Sequence, residues 1–292
     1  MDFYVRVFVR VYTSAKEVKN SARRLSYLYQ SQGCSSFHLQ PLGQAVETGK
    51  GGVKYSPGQG PVVPQKCPET GSRYLVGGPL WNGPLHDQEF VGRVLEEVSG
   101  SSGGRYPAKE RIAAVLTNVA EELPDAPLYF DQHEVCKVLR TTAPKAETLR
   151  SAIANAGYRV SGTHASPLGL KTDCPWDVLW DIMRCWHKEA LKTTNIRPPE
   201  PGSYQEKMLS KEPVHQANFA RNAEALSKAK GEGKGRFLPN PEENWGPQRR
   251  HGSKAPLPGH AVEKFAKKRT AAEGGDEAGG DEAGGGGKKA KQ

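Results

Sequence analysis

The chain has 292 residues, of which 36% are apolar, with 33 glycines, 22 prolines, a formal charge of +9 and a pI near 9.2. This allows one or two domains with an unfolded remainder. It excludes a membrane-spanning segment, because no window approaches the roughly 18 apolar residues that a bilayer demands.

Five cysteines, Cys34, Cys67, Cys136, Cys174 and Cys185, are odd in number and widely spaced. That argues against a secreted disulfide framework and for a reducing compartment, nucleus or cytosol. The basic charge suits a nucleic acid or another acidic surface, and equally an ordinary solvated surface with a basic tail.

Residues 3–12 alternate at period two, with Val5, Val7, Val9 and Val11 on one face and Tyr4, Arg6, Phe8, Arg10 and Tyr12 on the other. The pattern predicts a β-strand. Arg6 and Arg10 among aromatics suit stacking and phosphate contact, or a strand covered on both faces with its arginines paired. A strand this early has no earlier partner, so it joins a later sheet or belongs to a sheet whose other strands lie upstream. A helix is predicted over 14–30, with Ser14 as N-cap and Val18, Ala22, Leu25 and Leu28 as its apolar stripe.

Residues 31–80 are rich in Gly and Pro, with short strands predicted at Phe37–Gln40 and Arg73–Val76 and an unstructured loop between Thr48 and Lys66. Cys34 and Cys67 stand where a zinc ribbon has two C-x-x-C knuckles, but Ser31 and Thr70 fill the other two corners. Two thiolates are too few for a structural zinc unless His38 or a distant residue completes the set, so a pair of buried free thiols is the simpler expectation. A Gly/Pro loop carrying Trp81 and His86 leads to a helix capped by Asp87, with Phe90, Val91, Val94, Leu95 and Val98 inward. Trp81 fits a stacking platform or a plug that anchors the loop. SGSSGG at 99–104 breaks the chain.

The next elements are regular: a helix over 107–122, a strand at Leu128–Phe130, a helix at Gln132–Arg140, a turn containing Pro144, a helix at Lys145–Ala156 closed by Gly157, and a strand at Tyr158–Thr163. That order is a winged helix's. Its recognition face would carry Lys145, Thr148, Arg150, Ser151 and Asn155, although such modules also bind proteins. Thr163–Pro167 would be the wing turn and Leu168–Lys171 the returning strand. Asp173 would cap a helix with Trp176, Leu179, Trp180 and Met183 on its core face. His164 and Lys171 flank the wing turn and are candidates for contact, with His164 equally suited to fixing the loop by a hydrogen bond.

Beyond Asn195, IRPPEPGS reads as a linker. Residues 201–272 hold 14 Lys and Arg against 7 Asp and Glu, with at most a fluctuating helix expected over 213–230. Phe237 and Trp245 among Arg249, Arg250 and Lys254 suit RNA contact as well as a solvated tail. Residues 271–292 are low in complexity. There is no glycine-rich dinucleotide loop, P-loop or nucleophile elbow, so no catalytic and no cofactor-binding residue is assigned.

DFYVRVFVRV, CSSFHLQPLG, GGPLWNGPLHDQEFVGRVLEEV, YRVSGTHASPLGLKTDCPWDVLWDIMRCW and NPEENWGP together resemble the C-terminal half of the eukaryotic tRNA (guanine-26 N2)-dimethyltransferases, over residues 2–250. The resemblance implies an S-adenosylmethionine-dependent tRNA methyltransferase. Its methyl-donor domain, Rossmann-like with a catalytic Asp-Pro-Phe-Gly motif, is not in this sequence, whether through truncation or because the enzyme is split. The strand at 2–12 would then close that domain's sheet. The family usually carries two C-x-x-C pairs for zinc, of which Cys34 and Cys67 would be half.

The fold expected is α+β: an orphan terminal strand of a Rossmann-like sheet, a mixed domain with a winged-helix-like part, and a disordered basic tail. Residues 1–30 would be the remnant of the methyltransferase domain, 31–104 the Gly/Pro-rich β region with the degenerate knuckle, 105–195 the winged-helix-like domain and 196–292 the tail. The expected partners are tRNA and, in the split case, a separate catalytic half. The expected RNA contacts are Arg6, Arg10, Lys145, Arg150, His164, Lys171, Arg249 and Arg250. The chain alone is expected to bind tRNA weakly and to transfer no methyl group. The competing readings are a non-catalytic RNA-binding or adaptor protein derived from the family, and a winged-helix protein-interaction module. Besides nucleus or cytosol, an organelle fits if an upstream segment directs the protein there.

Overall fold

The computed structural model describes residues 9, 11–49, 51–100, 105, 106 and 108–227. The strand expected at 3–12 falls mostly outside them, and Val9, Val11 and Tyr12 are exposed and in no regular element. Ser14 caps helix α1 (Ala15–Asn20), its side chain accepting from the Glu17 N–H. A 3-10 turn follows at Ser21–Arg24.

The helix expected to reach residue 30 stops there, and strand β1 (Leu25–Ser31) takes its place. Leu25 and Leu28 imitate a helical stripe, but Tyr27 and Tyr29 favour the strand, and partners far along the chain decide the matter. β1 is the centre of an antiparallel sheet between β2 (Phe37–Pro41) and β5 (Tyr74–Trp81), with Leu28 opposite both Leu39 and Gly77. The register of β1 against β5 slips between Ser26 and Leu28. There Gly78 has φ +103°, and a Cβ on it would lie 2.9 Å from the Ser26 carbonyl oxygen, so only glycine fits. Within the loop expected over 48–66, β4 (Val53–Pro57) pairs instead with β3 (Gly43–Glu47) as a hairpin, Ala45 opposite Tyr55, while 58–66 carries no regular element.

Helix α2 (Gln88–Gly100) starts as expected, Asp87 Oδ1 accepting from the Phe90 N–H at 3.0 Å. Then come α3 (Lys109–Glu121), β6 (Phe130–Asp131), α4 (Gln132–Val138), α5 (Ala146–Asn155), β7 (Val160–Gly162) and β8 (Gly169–Thr172). The three strands pair antiparallel in the order β6-β8-β7. Gly157, at φ +90°, turns the chain out of α5.

Helix α6 (Trp176–Leu191) is the hub of the core. Leu179, Trp180, Ile182 and Met183 are fully buried against Leu139, Leu149 and Ile153. Trp176 stacks on Trp180 with ring centroids 5.9 Å apart and meets Phe37 and Phe130 edge-on. Trp180 Nε1 donates to Ser36 Oγ at 2.7 Å, tying α6 to the turn between β1 and β2. Pro175, not Asp173, precedes the helix. Asp173 is taken by Arg159, whose backbone N–H and Nε donate to it at 2.8 and 2.7 Å.

The tail expected from residue 196 is folded as far as 227. Helix α7 (Tyr204–Leu209) buries Met208 completely. Residues 213–222 then run as a strap without regular structure, where at most a fluctuating helix was expected, and end in a 3-10 turn at Ala223–Ala225. The strap's backbone is held by side chains of other elements: Asp181 Oδ2 accepts from the N–H groups of Val214 and His215. Buried Arg184 joins α7 to the loop before β5, donating to the Met208 carbonyl, Asp181 and Glu69. No helix among the described residues is long and apolar enough to cross a membrane.

Candidate nucleic-acid interface

The residues expected at the degenerate knuckle do come together. Cys34 Sγ lies 3.6 Å from Cys67 Sγ and 3.2 Å from Ser31 Oγ, and Ser72 Oγ bridges Ser31 and Thr70 at 3.0 and 2.9 Å. The contact between the sulfurs divides their ionisation, pushing the Cys34 thiol up and pulling Cys67 down to about 4. The residues do not fit zinc. Two of the four corners are alcohols, each already hydrogen-bonded to Ser72 Oγ, and no histidine or carboxylate among the described residues joins the sulfurs as a third ligand. His38 instead packs edge-on against Tyr74.

The expected recognition face of α5 is mostly covered. Asn155 Nδ2 donates to the carbonyls of Asn218 and Ala220, both at 2.9 Å, and Asn222 Nδ2 donates back to Asn155 Oδ1. Ser151 is fully buried, its Oγ accepting from the Asn222 N–H, while Arg221 pairs with Glu147 at 2.6 Å. Arg150 is buried, which removes it as a surface contact, and Thr148 is half-buried. Lys145 remains exposed. The sequence hid this because the strap has no periodicity by which to announce itself.

The turn between β7 and β8 is where candidates converge, around a residue that sequence reasoning missed. Glu122 follows the last turn of α3 and is 3% exposed. Its Oε1 accepts from the His164 backbone N–H at 2.5 Å and faces His164 Nδ1 at 2.6 Å. Lys171 Nζ, almost as deeply buried, lies 3.1 Å from Oε2. Burial pushes the Glu122 carboxyl up, but the His164 ring and backbone and Lys171 outweigh it and hold the pKa at about 2. A carboxylate only accepts, so His164 carries its proton on Nδ1. His86 completes the group, its ring edge-on to His164 with centroids 5.1 Å apart. Its Nε2 is buried 3.8 Å from Glu122 Oε2, without a hydrogen-bond partner among the described residues. Burial lowers the His86 pKa below its ordinary value.

These four side chains form the polar end of a cavity of about 280 Å³ whose other walls include Trp81, Leu85, Leu128 and Tyr129. The expectation that Lys171 stands free is corrected, since it points inward and is paired. His164 does fix the loop, and its side chain is still 23% exposed. Trp81 is 42% exposed, its Nε1 donating to the Pro84 carbonyl and the Arg24 guanidinium lying 5.7 Å from its ring centroid. Only the unremarkable pair Glu121-Glu122 before Leu-Pro marked the carboxylate in the sequence. Arg6, Arg10, Arg249 and Arg250 lie outside the described residues.

A family model described as N2,N2-dimethylguanosine tRNA methyltransferase matches residues 1–184. The chain is 53% identical over 252 residues to tRNA (guanine(26)-N(2))-dimethyltransferase 1 of Arabidopsis thaliana, covering 86% of this chain and 42% of that protein. It is 45% identical over 250 residues to tRNA (guanine(26)-N(2))-dimethyltransferase of Homo sapiens, covering 85% and 37%. The chain therefore spans less than half the length of these relatives. Among solved structures it is similar to Trm1 from Pyrococcus horikoshii in complex with S-adenosyl-L-methionine, with 27% identity, a TM-score of 0.41 and coverage of 56% of this chain and 36% of that one.

Proposed function

The chain belongs to the N2,N2-dimethylguanosine tRNA methyltransferase family, and on that premise we propose that its described part is the portion of such an enzyme that holds tRNA while a methyl group passes to the exocyclic amine of guanine 26. One observation carries the reading: the family match over residues 1–184 takes in His86, Glu122, His164 and Lys171, the polar group at the wing turn. The order α3-β6-α4-α5-β7-β8, with sheet order β6-β8-β7, supports reading that part as a winged helix. With α5 strapped over, the RNA-facing side is proposed to be the wing rather than the helix. It would be approached by Lys145, His164 and the cavity floor, with Arg6, Arg10, Arg249 and Arg250 as further proposed contacts.

The methyl donor we propose is S-adenosylmethionine, and the described residues do not fit it. Donor sites of Rossmann-like sheets lie at the carboxyl ends of parallel strands. Every strand pairing among the described residues is antiparallel. Methyl transfer is therefore assigned to residues outside this part, and zinc, which the knuckle does not fit, is given no role.

Binding of the chain to a tRNA transcript tests the proposal. Affinity should fall at least tenfold between 50 and 200 mM salt, as several phosphate contacts require. No binding at low salt would overturn it. Methyl transfer by this chain alone to the same transcript would overturn the assignment of chemistry elsewhere. A non-catalytic adaptor predicts that no supplied catalytic half restores transfer.

A further inference from the structure

The cavity beside the wing turn has a floor of mixed sign, and that restricts what can enter it. Glu122, held ionised, repels a phosphate group placed against it. His86, Glu122 and His164 offer ligand atoms within 4.8 Å of one another, the spacing of a cation site. Lys171 already stands there, with its ammonium 3.1 Å from the carboxylate, so a metal ion would be seated beside a fixed positive charge. What remains is a neutral group with both donors and acceptors. The Lys171 ammonium lies 3.1 Å from Glu122 Oε2 and keeps N–H bonds to offer, while Glu122 Oε2 and His86 Nε2 both lack a hydrogen-bond partner among the described residues.

The rest of the lining is of a different kind. Tyr129 and Leu85 are 41% and 63% exposed. A half-exposed aromatic over a polar floor is how single-stranded RNA modules hold unstacked bases. The volume of about 280 Å³ lies just below the ~300–1,000 Å³ of ordinary ligand pockets, which leaves room for one base but not for a dinucleotide.

We infer that this cavity receives one unpaired nucleobase of tRNA, turned out against Tyr129 with its hydrogen-bonding edge on Lys171 and His86. The inference rests on the tRNA-holding reading and adds the part of the substrate that is read. Glu122 acts as a positioning residue: it fixes the tautomer of His164 and the direction of Lys171.

The test measures binding of the full chain to a tRNA transcript, to a short unpaired RNA and to a duplex of equal phosphate count. Tyr129→Ala removes the stacking ring and Leu85→Trp fills the mouth. Each is expected to weaken the transcript and the unpaired RNA about tenfold and to leave the duplex and the salt slope unchanged. Tyr129→Phe, which keeps the ring, is expected to bind as the parent does. Unchanged transcript affinity in both disruptive variants overturns the cavity assignment and leaves the tRNA reading standing. No transcript binding by the parent overturns both. A stoichiometric zinc ion that is lost in His164→Gln also overturns the assignment, because a metal would then fill the floor.

Discussion

Glu122 sets the chemistry of its surroundings at the cost of a buried charge. Breaking such a group costs about 3–5 kcal/mol, because the partner is left ionised in a dry site. Glu122→Gln should therefore destabilise the fold by roughly that much in denaturant unfolding, with Lys171 stranded. The acid response follows from the direction of each shift. The Glu122 pKa is lowered from 4.5 to about 2, so its contribution is fully present above pH 4.5 and lost as pH falls towards 2, amounting to about 3 kcal/mol. His86, His38 and His187 are held below 6.5 by burial, so they cost stability once pH drops under 6.5. A thermal melt should show two separate losses, one below pH 6.5 and one below pH 4.5, and Glu122→Gln should remove the second. At the knuckle, Ser31→Cys with Thr70→Cys would supply four thiols around one point. That double variant should bind one zinc, measured by metal analysis after dialysis, where the parent binds none there.

At the scale of elements, the helices were legible and the long-range pairings were not. Helices α2, α3, α5 and α6 lie within a few residues of their periodic patterns, because each buries one face and the stripe records it. Strand β1 failed, since its tyrosines and leucines fit either period and the deciding partners sit at 37–41 and 74–81. The hairpin β3–β4 was missed because Gly-rich turns resemble loops. The strap was missed for a related reason: its order comes from Asp181, Asn155 and Ser151, none of which signals from a distance. Of the candidate site, His164 and Lys171 stood out from their place around the β7–β8 turn, and Glu122 did not. Asn155→Ala should cost about 1–3 kcal/mol and speed amide exchange in residues 216–222 well before the rest of the chain. Trp180→Ala should cost about 3–5 kcal/mol in denaturant unfolding, because it empties the hub and removes the indole bond to Ser36.

Over the whole molecule, family membership and the packing of α6 tell one story. The most distinctive sequence block, residues 157–187, holds the molecule together and supplies one wall of the cavity, without itself reading as a reaction centre. The chain's charge of +9 on 292 residues suits the proposed tRNA contact and a plain basic surface equally. The expected boundary at 195 moves, because residues 196–227 close the core that α6 begins.

The bond from Trp180 to Ser36 has a consequence for synthesis. Its two ends are 144 residues apart, and Arg184 reaches back 115 residues to Glu69. At about 5–20 residues per second the first sheet leaves the ribosome on the order of ten seconds before the helix that covers it. During that interval Cys34, Cys67 and Phe37 lack their lid, and contacts this distant are slow to form even afterwards. The nascent chain thus holds bare strands through that waiting period, and co-expression of a holdase should raise its soluble yield.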